Sequence, residues 1–125
     1  MRCPCRKKSE SRIYADCCAP FHLGTEQAPA AEVLMRSRYA AFALENAAYL
    51  IETWHPSTRP AGITFNPGEE WLLLRVLATH TAGESATVEF IARSRSGGQV
   101  HLLHEISRFV RDNGFWFYLD GVIKP

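Results

Sequence analysis

Four cysteines stand within the first 18 positions of a 125-residue chain, and the chain has no others: Cys3 and Cys5 flank Pro4, and Cys17 and Cys18 are adjacent. Scattered thiols would read as small apolar fillers. Two tight pairs offer the donor set of a soft metal, and zinc takes four thiolates in a closed tetrahedron. The chain starts on basic residues, without the apolar run of a secretory signal. The expected setting is therefore reducing and cytoplasmic, which disfavours disulfides and favours Zn2+. The spacing is C-x-C, 11 intervening residues, then C-C. That is not the common pair of C-x2-C motifs, so free or redox-active thiols remain the alternative.

The charges around the thiols fit the metal reading. Arg2, Arg6, Lys7, Lys8 and Arg12 face only Glu10 and Asp16 in this stretch, and neighbouring cations favour thiolate over thiol. The same residues also read as an ordinary solvated face, or as a weak local attraction for RNA or an acidic protein surface. His22 is a replacement ligand if Cys17 and Cys18 cannot both reach one ion. With four cysteines present it is expected behind the ligands or in packing.

Composition bounds the rest. At 46% apolar and 22% charged residues, with a formal net charge of +1, the chain is large enough for one ordinary core plus a small appendage. It has no global pull toward nucleic acid or membrane. No apolar run approaches spanning length, because even Trp71–Leu74 is broken by Arg75.

These thiols need a body to lean on. Cys18–Gln27 reads as a loop broken by Pro20 and Gly24, with Phe21 and Leu23 available to pin the knuckle down. A first helix is expected from Pro29 through Ala30–Leu44, with Leu34, Met35, Tyr39, Phe42 and Ala43 as its apolar stripe. Asn46 caps a second helix, Ala47 to about Trp54, which His55-Pro56 stops. A long connection follows, in which Ile63-Thr64-Phe65 is expected to form a short edge strand.

From Trp71 the period changes to two. Strands are expected at Trp71–Thr81, Ser85–Arg95, Val100–Arg111 and Phe115–Ile123, joined by short Gly-containing turns. That order is an antiparallel meander. Strands so long demand twist or curvature. The fold class is α+β: helices covering the concave face of a strongly curved antiparallel sheet. The division is residues 1–24 as knuckle and 25–125 as the cone-like domain.

Several segments resemble a known family. Cys3-Pro4-Cys5 followed by Tyr14-Ala15-Asp16-Cys17-Cys18 resembles the SEC-C motif, the zinc-binding tail also found on the SecA translocation ATPase. Ala28–Tyr39 with its Met35-Arg36-Ser37-Arg38-Tyr39 block, Thr53–Thr58, Val88–Phe90, His104–Phe109 and Gly114–Gly121 are similar to the YchJ family of small bacterial proteins of uncharacterised function. The resemblance implies a cone-shaped domain like nuclear transport factor two, with zinc at Cys3, Cys5, Cys17 and Cys18. It also implies protein or ribosome contacts of the kind SEC-C tails make. The pattern departs at Arg6–Ser11, which replaces the family's Gly-Ser-Gly turn with a longer stretch. It departs again at the C-terminus, where some relatives carry another such motif and this chain ends at Pro125.

A cone interior offers a second candidate site, a pocket lined by Arg38, Trp54, His55, Glu89, His104, Glu105, Arg108, Trp116 and Tyr118. His104 and Glu105 are strand neighbours and must point to opposite faces, whereas Glu89 and Glu105 are expected to share one, with Arg38 or Arg36 as counter-ion. The plainer reading is a buried Arg–Glu network locking helix to sheet. The chain has no nucleophile context, phosphate-cradling loop or H-E-x-x-H. A non-enzyme is therefore favoured: a zinc-binding interaction protein first, with a small-molecule binder or enzyme in the cone as the alternative. An open pocket of several hundred cubic ångströms would support the alternative. A cone filled by Phe42, Trp54 and Trp116 would sink it. The oligomeric state and the partner are not written in the sequence.

Overall fold

The computed structural model describes residues 1–5 and 12–125. The altered loop at Arg6–Ser11 lies outside the described residues. Four strands, β1 (Glu70–Ala82), β2 (Ser85–Ser96), β3 (Gln99–Asp112) and β4 (Phe115–Ile123), form one antiparallel sheet in the order β1-β2-β3-β4. Each strand hands over to the next through a two-residue turn. Asn113 and Gly114 both sit at positive φ, 53° and 82°. That is the mirror-image turn whose twist matches the flanking strands.

Alternation decides the faces. Along β2, Ala86, Val88, Phe90, Ala92 and Ser94 are buried while the residues between them are not. Pairing carries the phase across the sheet: Phe90 lies opposite Glu105, and Glu89 opposite Ile106. Irregular register at Trp71/Leu73 and Val76/Ala78 in β1, and at Arg108/Phe109 against β4, bends the strands. The sheet curls toward the helices.

Helix α1 (Ala19–His22) is a single turn; α2 (Ala31–Ala43) and α3 (Ala47–Glu52) follow. Glu32 sits in the first turn of α2, near its positive end, and pairs with Arg36 one turn on at 3.0 Å. Asn46 Oδ1 accepts the Tyr49 amide N–H at 3.1 Å and so caps α3. Helix α2 packs across β1, β2 and β4. Leu34, Leu50, Val88 and Phe109 are the large apolar side chains at the centre, each contributing about 1.5–3 kcal/mol by burial.

Three details differ from the sequence reading. The stretch after Cys18 is not all loop: Pro20 falls in the first turn of α1, where its missing N–H costs no hydrogen bond. Leu23 pins nothing, being 77% exposed, and Phe21 alone packs against the core. Ile63-Thr64-Phe65 makes no strand; Ile63 and Phe65 instead pack singly on the core, Phe65 edge-on to Phe42.

Candidate functional site

The thiol cluster is built by two short devices. Arg2 bridges to Ile13, and the Cys3 amide donates to Arg12 O, which bring the first pair beside the second. A single 3-10 turn at Tyr14–Asp16 delivers Cys17 and Cys18. All four Sγ atoms lie within 4.8 Å of one another, and all four residues are buried. Cys5 Sγ sits 3.6 Å from each of Cys3, Cys17 and Cys18. A disulfide would need about 2.05 Å. The edge of a sulfur tetrahedron with Zn–S near 2.3 Å is about 3.8 Å. The donor set therefore fits a thiolate-bound metal of zinc size. Among themselves the thiols compete for protons: contact with Cys18 and then Cys5 lowers the Cys3 thiol, while contact with Cys3 and then Cys5 raises that of Cys18. A cation held by these four residues would supply the charge that lets all of them ionise.

The cluster is fastened to α2 at consecutive residues. Arg36 donates from Nη1 to Cys5 O at 3.1 Å while its Nε holds Glu32. Cys18 Sγ lies 3.9 Å from Arg36 O. His22 is a bridge and is not drawn into the thiol group: Tyr14 Oη donates to its Nδ1 at 2.6 Å, its Nε2–H donates to Ser37 O at 2.8 Å, and its ring lies 4.6 Å from that of Tyr49. That pattern assigns the proton to Nε2. Ser37, fully buried, donates to Leu34 O and accepts from Tyr49 Oη at 2.7 Å.

Between α2 and the concave face of the sheet lies a cavity of about 220 Å³. Of the nine residues expected to line it, Arg38, Trp54, Glu105 and Tyr118 do. Arg38 is 5% exposed. Its Nη1 donates to Leu50 O at 2.8 Å and to Thr53 Oγ1 at 2.7 Å. Its guanidinium carbon sits 4.5 Å from the centre of Tyr118 and 5.2 Å from that of Trp54. Burial lowers its pKa to about 10 despite the attraction of Tyr118, Tyr49 and Glu105. No carboxylate lies within ion-pair distance of it among the described residues, so the locking Arg–Glu salt bridge is replaced by stacking between two rings.

The other five candidates stand elsewhere. Glu89 is not on the face of Glu105: it accepts from His104 Nε2 at 2.7 Å on the convex side. One residue of offset along a strand reverses the face, so opposite pairing of Phe90 with Glu105 turns Glu89 away. Arg108 is on that side too, in a bidentate pair with Asp120 at 2.6 Å. His55 sits at the outer end of β4, between Ser57 and Asp112 and edge-on to Phe117. Trp116 is buried under Arg111, 5.3 Å from its guanidinium, and lines a groove beside α1 with Phe21 and Tyr49. The cone is not filled: Phe42 and Trp54 form wall, and Trp116 is outside it.

Sequence reading missed Arg36, Ser37 and Tyr49 as the junction between knuckle and domain. The available signal was three polar residues in a row, Arg36-Ser37-Arg38, inside a helix that after Glu32 is otherwise apolar. It also missed the aromatic walls at Tyr39, Trp71 and Phe90.

The family described as "YchJ, middle NTF2-like domain" matches residues 30–121. A UPF0225 protein of Bordetella pertussis is 48% identical over 126 residues, covering 98% of this chain and 92% of its own length. The solution structure of a SEC-C motif containing protein from Rhodopseudomonas palustris superposes with a TM-score of 0.81 at 37% identity, covering 94% of this chain and 96% of that one. The crystal structure of a SEC-C motif containing protein from Psychrobacter arcticus gives 0.79 at 28% identity, with 98% and 82% covered.

Proposed function

The chain belongs to the YchJ family, and from that premise we propose that it is a zinc-stabilised interaction protein. Cys3, Cys5, Cys17 and Cys18 hold Zn2+, and the surface of the knuckle makes the contact. The observation that carries the proposal is the convergence of four buried Sγ atoms within 4.8 Å. Four thiolates close the tetrahedron and leave no position for a substrate, so the ion's role is to cross-link and neutralise. The outside of the knuckle supports a contact role. Met1, Ile13 and Leu23 are exposed by 72%, 46% and 77%, beside the exposed Arg2 and Arg12. Apolar groups among cations suit a partner with an acidic, partly apolar surface, a protein or a ribosomal face. SEC-C likeness favours the same class, by association. No helix among the described residues is long and apolar enough to cross a membrane, and a reducing cytoplasmic setting would keep the thiols available to the metal.

The test is metal-dependent capture. Elemental analysis of the native protein should give a zinc-to-chain ratio of about 1, falling to background in Cys3→Ser/Cys5→Ser. Partners recovered from bacterial lysate with native protein should be lost with that variant. Equal recovery of every partner would refute the contact role while leaving the zinc measurement to stand by itself.

A further inference from the structure

The cavity under α2 is mostly apolar wall, with three polar groups whose hydrogen-bonding capacity the protein does not use up. Trp54 Nε1–H is buried and has no hydrogen-bond partner among the described residues. Arg38 carries five N–H donors. Nη1 is satisfied by Leu50 O and Thr53 Oγ1, whereas Nε and Nη2 donate to no described residue. Glu105 accepts from Ser107 Oγ at 2.7 Å through one carboxylate oxygen, and the other accepts from no described residue. All three side chains line the one cavity. Of these atoms Trp54 Nε1 is the one wholly buried without a partner among the described residues, at a cost comparable to a lost hydrogen bond; the open positions on Arg38 and Glu105 are left to whatever enters the cavity.

The pattern specifies its complement. Trp54 lacks an acceptor, Arg38 has donors to spare, and Glu105 has an acceptor to spare. One cation and one anion in the same cavity leave no net charge for an ionic ligand to neutralise: a carboxylate drawn to Arg38 is repelled by Glu105, and an ammonium meets the reverse. A neutral group with an acceptor beside a donor satisfies both sides without desolvating a charge of its own. The remaining wall is aromatic, from Tyr39, Phe42, Trp71 and Phe90, which suits a flat body. The volume of about 220 Å³ exceeds the roughly 150 Å³ that accepts benzene in an engineered cavity. It fits one ring with a substituent.

We propose that this cavity is a binding site for a neutral single-ring molecule bearing an amide-type edge, a carbonyl beside an N–H. The carbonyl faces Trp54 and Arg38, the N–H faces Glu105, and the ring lies among the aromatic walls. The site shares none of its lining residues with the four thiols.

The experiment uses the full-length, zinc-loaded protein and five probes of similar size: 2-pyridone, benzamide, benzoate, benzylamine and toluene. Binding is read by protein-observed NMR shifts with titration to a Kd. The two amides should bind at least about tenfold more tightly than the two ions, and shifts should appear at the Trp54 indole N–H. Trp54→Phe keeps the ring and removes the donor, and should weaken 2-pyridone by about tenfold with little change for toluene. If that variant does not fold, competition of 2-pyridone against toluene on the native protein reads the same preference. Ions binding as well as amides, amides binding no better than toluene, or no saturation by any probe because water alone fills the cavity would each overturn the proposal.

Discussion

Gly121 offers a sharp test of how the concave face is packed. It lies in β4 opposite Ser107, outside the left-handed region, so alanine is allowed by its backbone. A Cβ at this position would fall well inside contact distance of Glu105 Oε1, the atom that Ser107 Oγ bonds. Gly121→Ala must therefore displace the carboxylate and break that bond, at a cost of about 1–3 kcal/mol for overpacking. In a Glu105→Ala background the obstruction is gone. There the same substitution restricts only the unfolded chain and should stabilise by about 0.4–1 kcal/mol. Glu105→Ala itself destabilises, since buried Ser107 loses its acceptor and buried Arg38 its nearest anion. The cycle thus predicts a reversal of sign, with a coupling of about 1.4–4 kcal/mol. Urea denaturation of the four proteins at fixed zinc concentration measures it, provided the m values agree. Equal destabilisation by Gly121→Ala in both backgrounds would show that Glu105 does not sit against β4 as described.

Removing the metal with a chelator should raise amide exchange through residues 12–24 and in the first turns of α2, while β2 and β3 keep their protection; uniform loss across the sheet would contradict a locally fastened knuckle. His22→Phe keeps the ring contact with Tyr49 but loses both hydrogen bonds, and should cost about 1–3 kcal/mol in a denaturant titration. Burial raises Tyr49 and Tyr118 to about 12, with the Glu105 charge adding to the second. Because their folded values lie above the unfolded one near 10, their contribution is intact below pH 10 and is lost as pH rises toward 12. Stability should fall by roughly 2 kcal/mol for Tyr49 and by less for the more solvent-screened Tyr118 over that window, and Tyr49→Phe should flatten the fall. Phenolate absorbance that rises for every tyrosine near pH 10 without unfolding would argue against their burial.

What was legible in the sequence was whatever has a period or a local signature. The meander could be read because Asn113-Gly114 and Gly97-Gly98 announce turns and because burial alternates in β2. The four cysteines were legible as a group by clustering alone. The faces were harder. Placing Glu89 with Glu105 required the register between β2 and β3, which two-residue alternation in each strand cannot supply. Trp116 and His55 were misplaced for the same kind of reason. The irregularity near Arg108/Phe109 shifts one strand against the next, and nothing in Phe115–Leu119 marks which aromatic faces the cone. Ser37 escaped because a polar residue inside a helix looks solvent-facing until the knuckle is laid over it, and Arg36, expected as a counter-ion for the sheet carboxylates, instead holds Glu32 and Cys5 O.

Arg36, Ser37 and Arg38 are consecutive, yet they look in three directions. A helix turns by about 100° per residue, so one guanidinium reaches Cys5 O, the next side chain bonds Tyr49 and the third enters the cavity. A single turn of α2 is therefore a shared axle. Any occupant of the cavity that rolls this axle alters the footing of the knuckle, and any partner that tugs the knuckle alters the cavity. The two influences must be equal in free energy, because linkage is reciprocal.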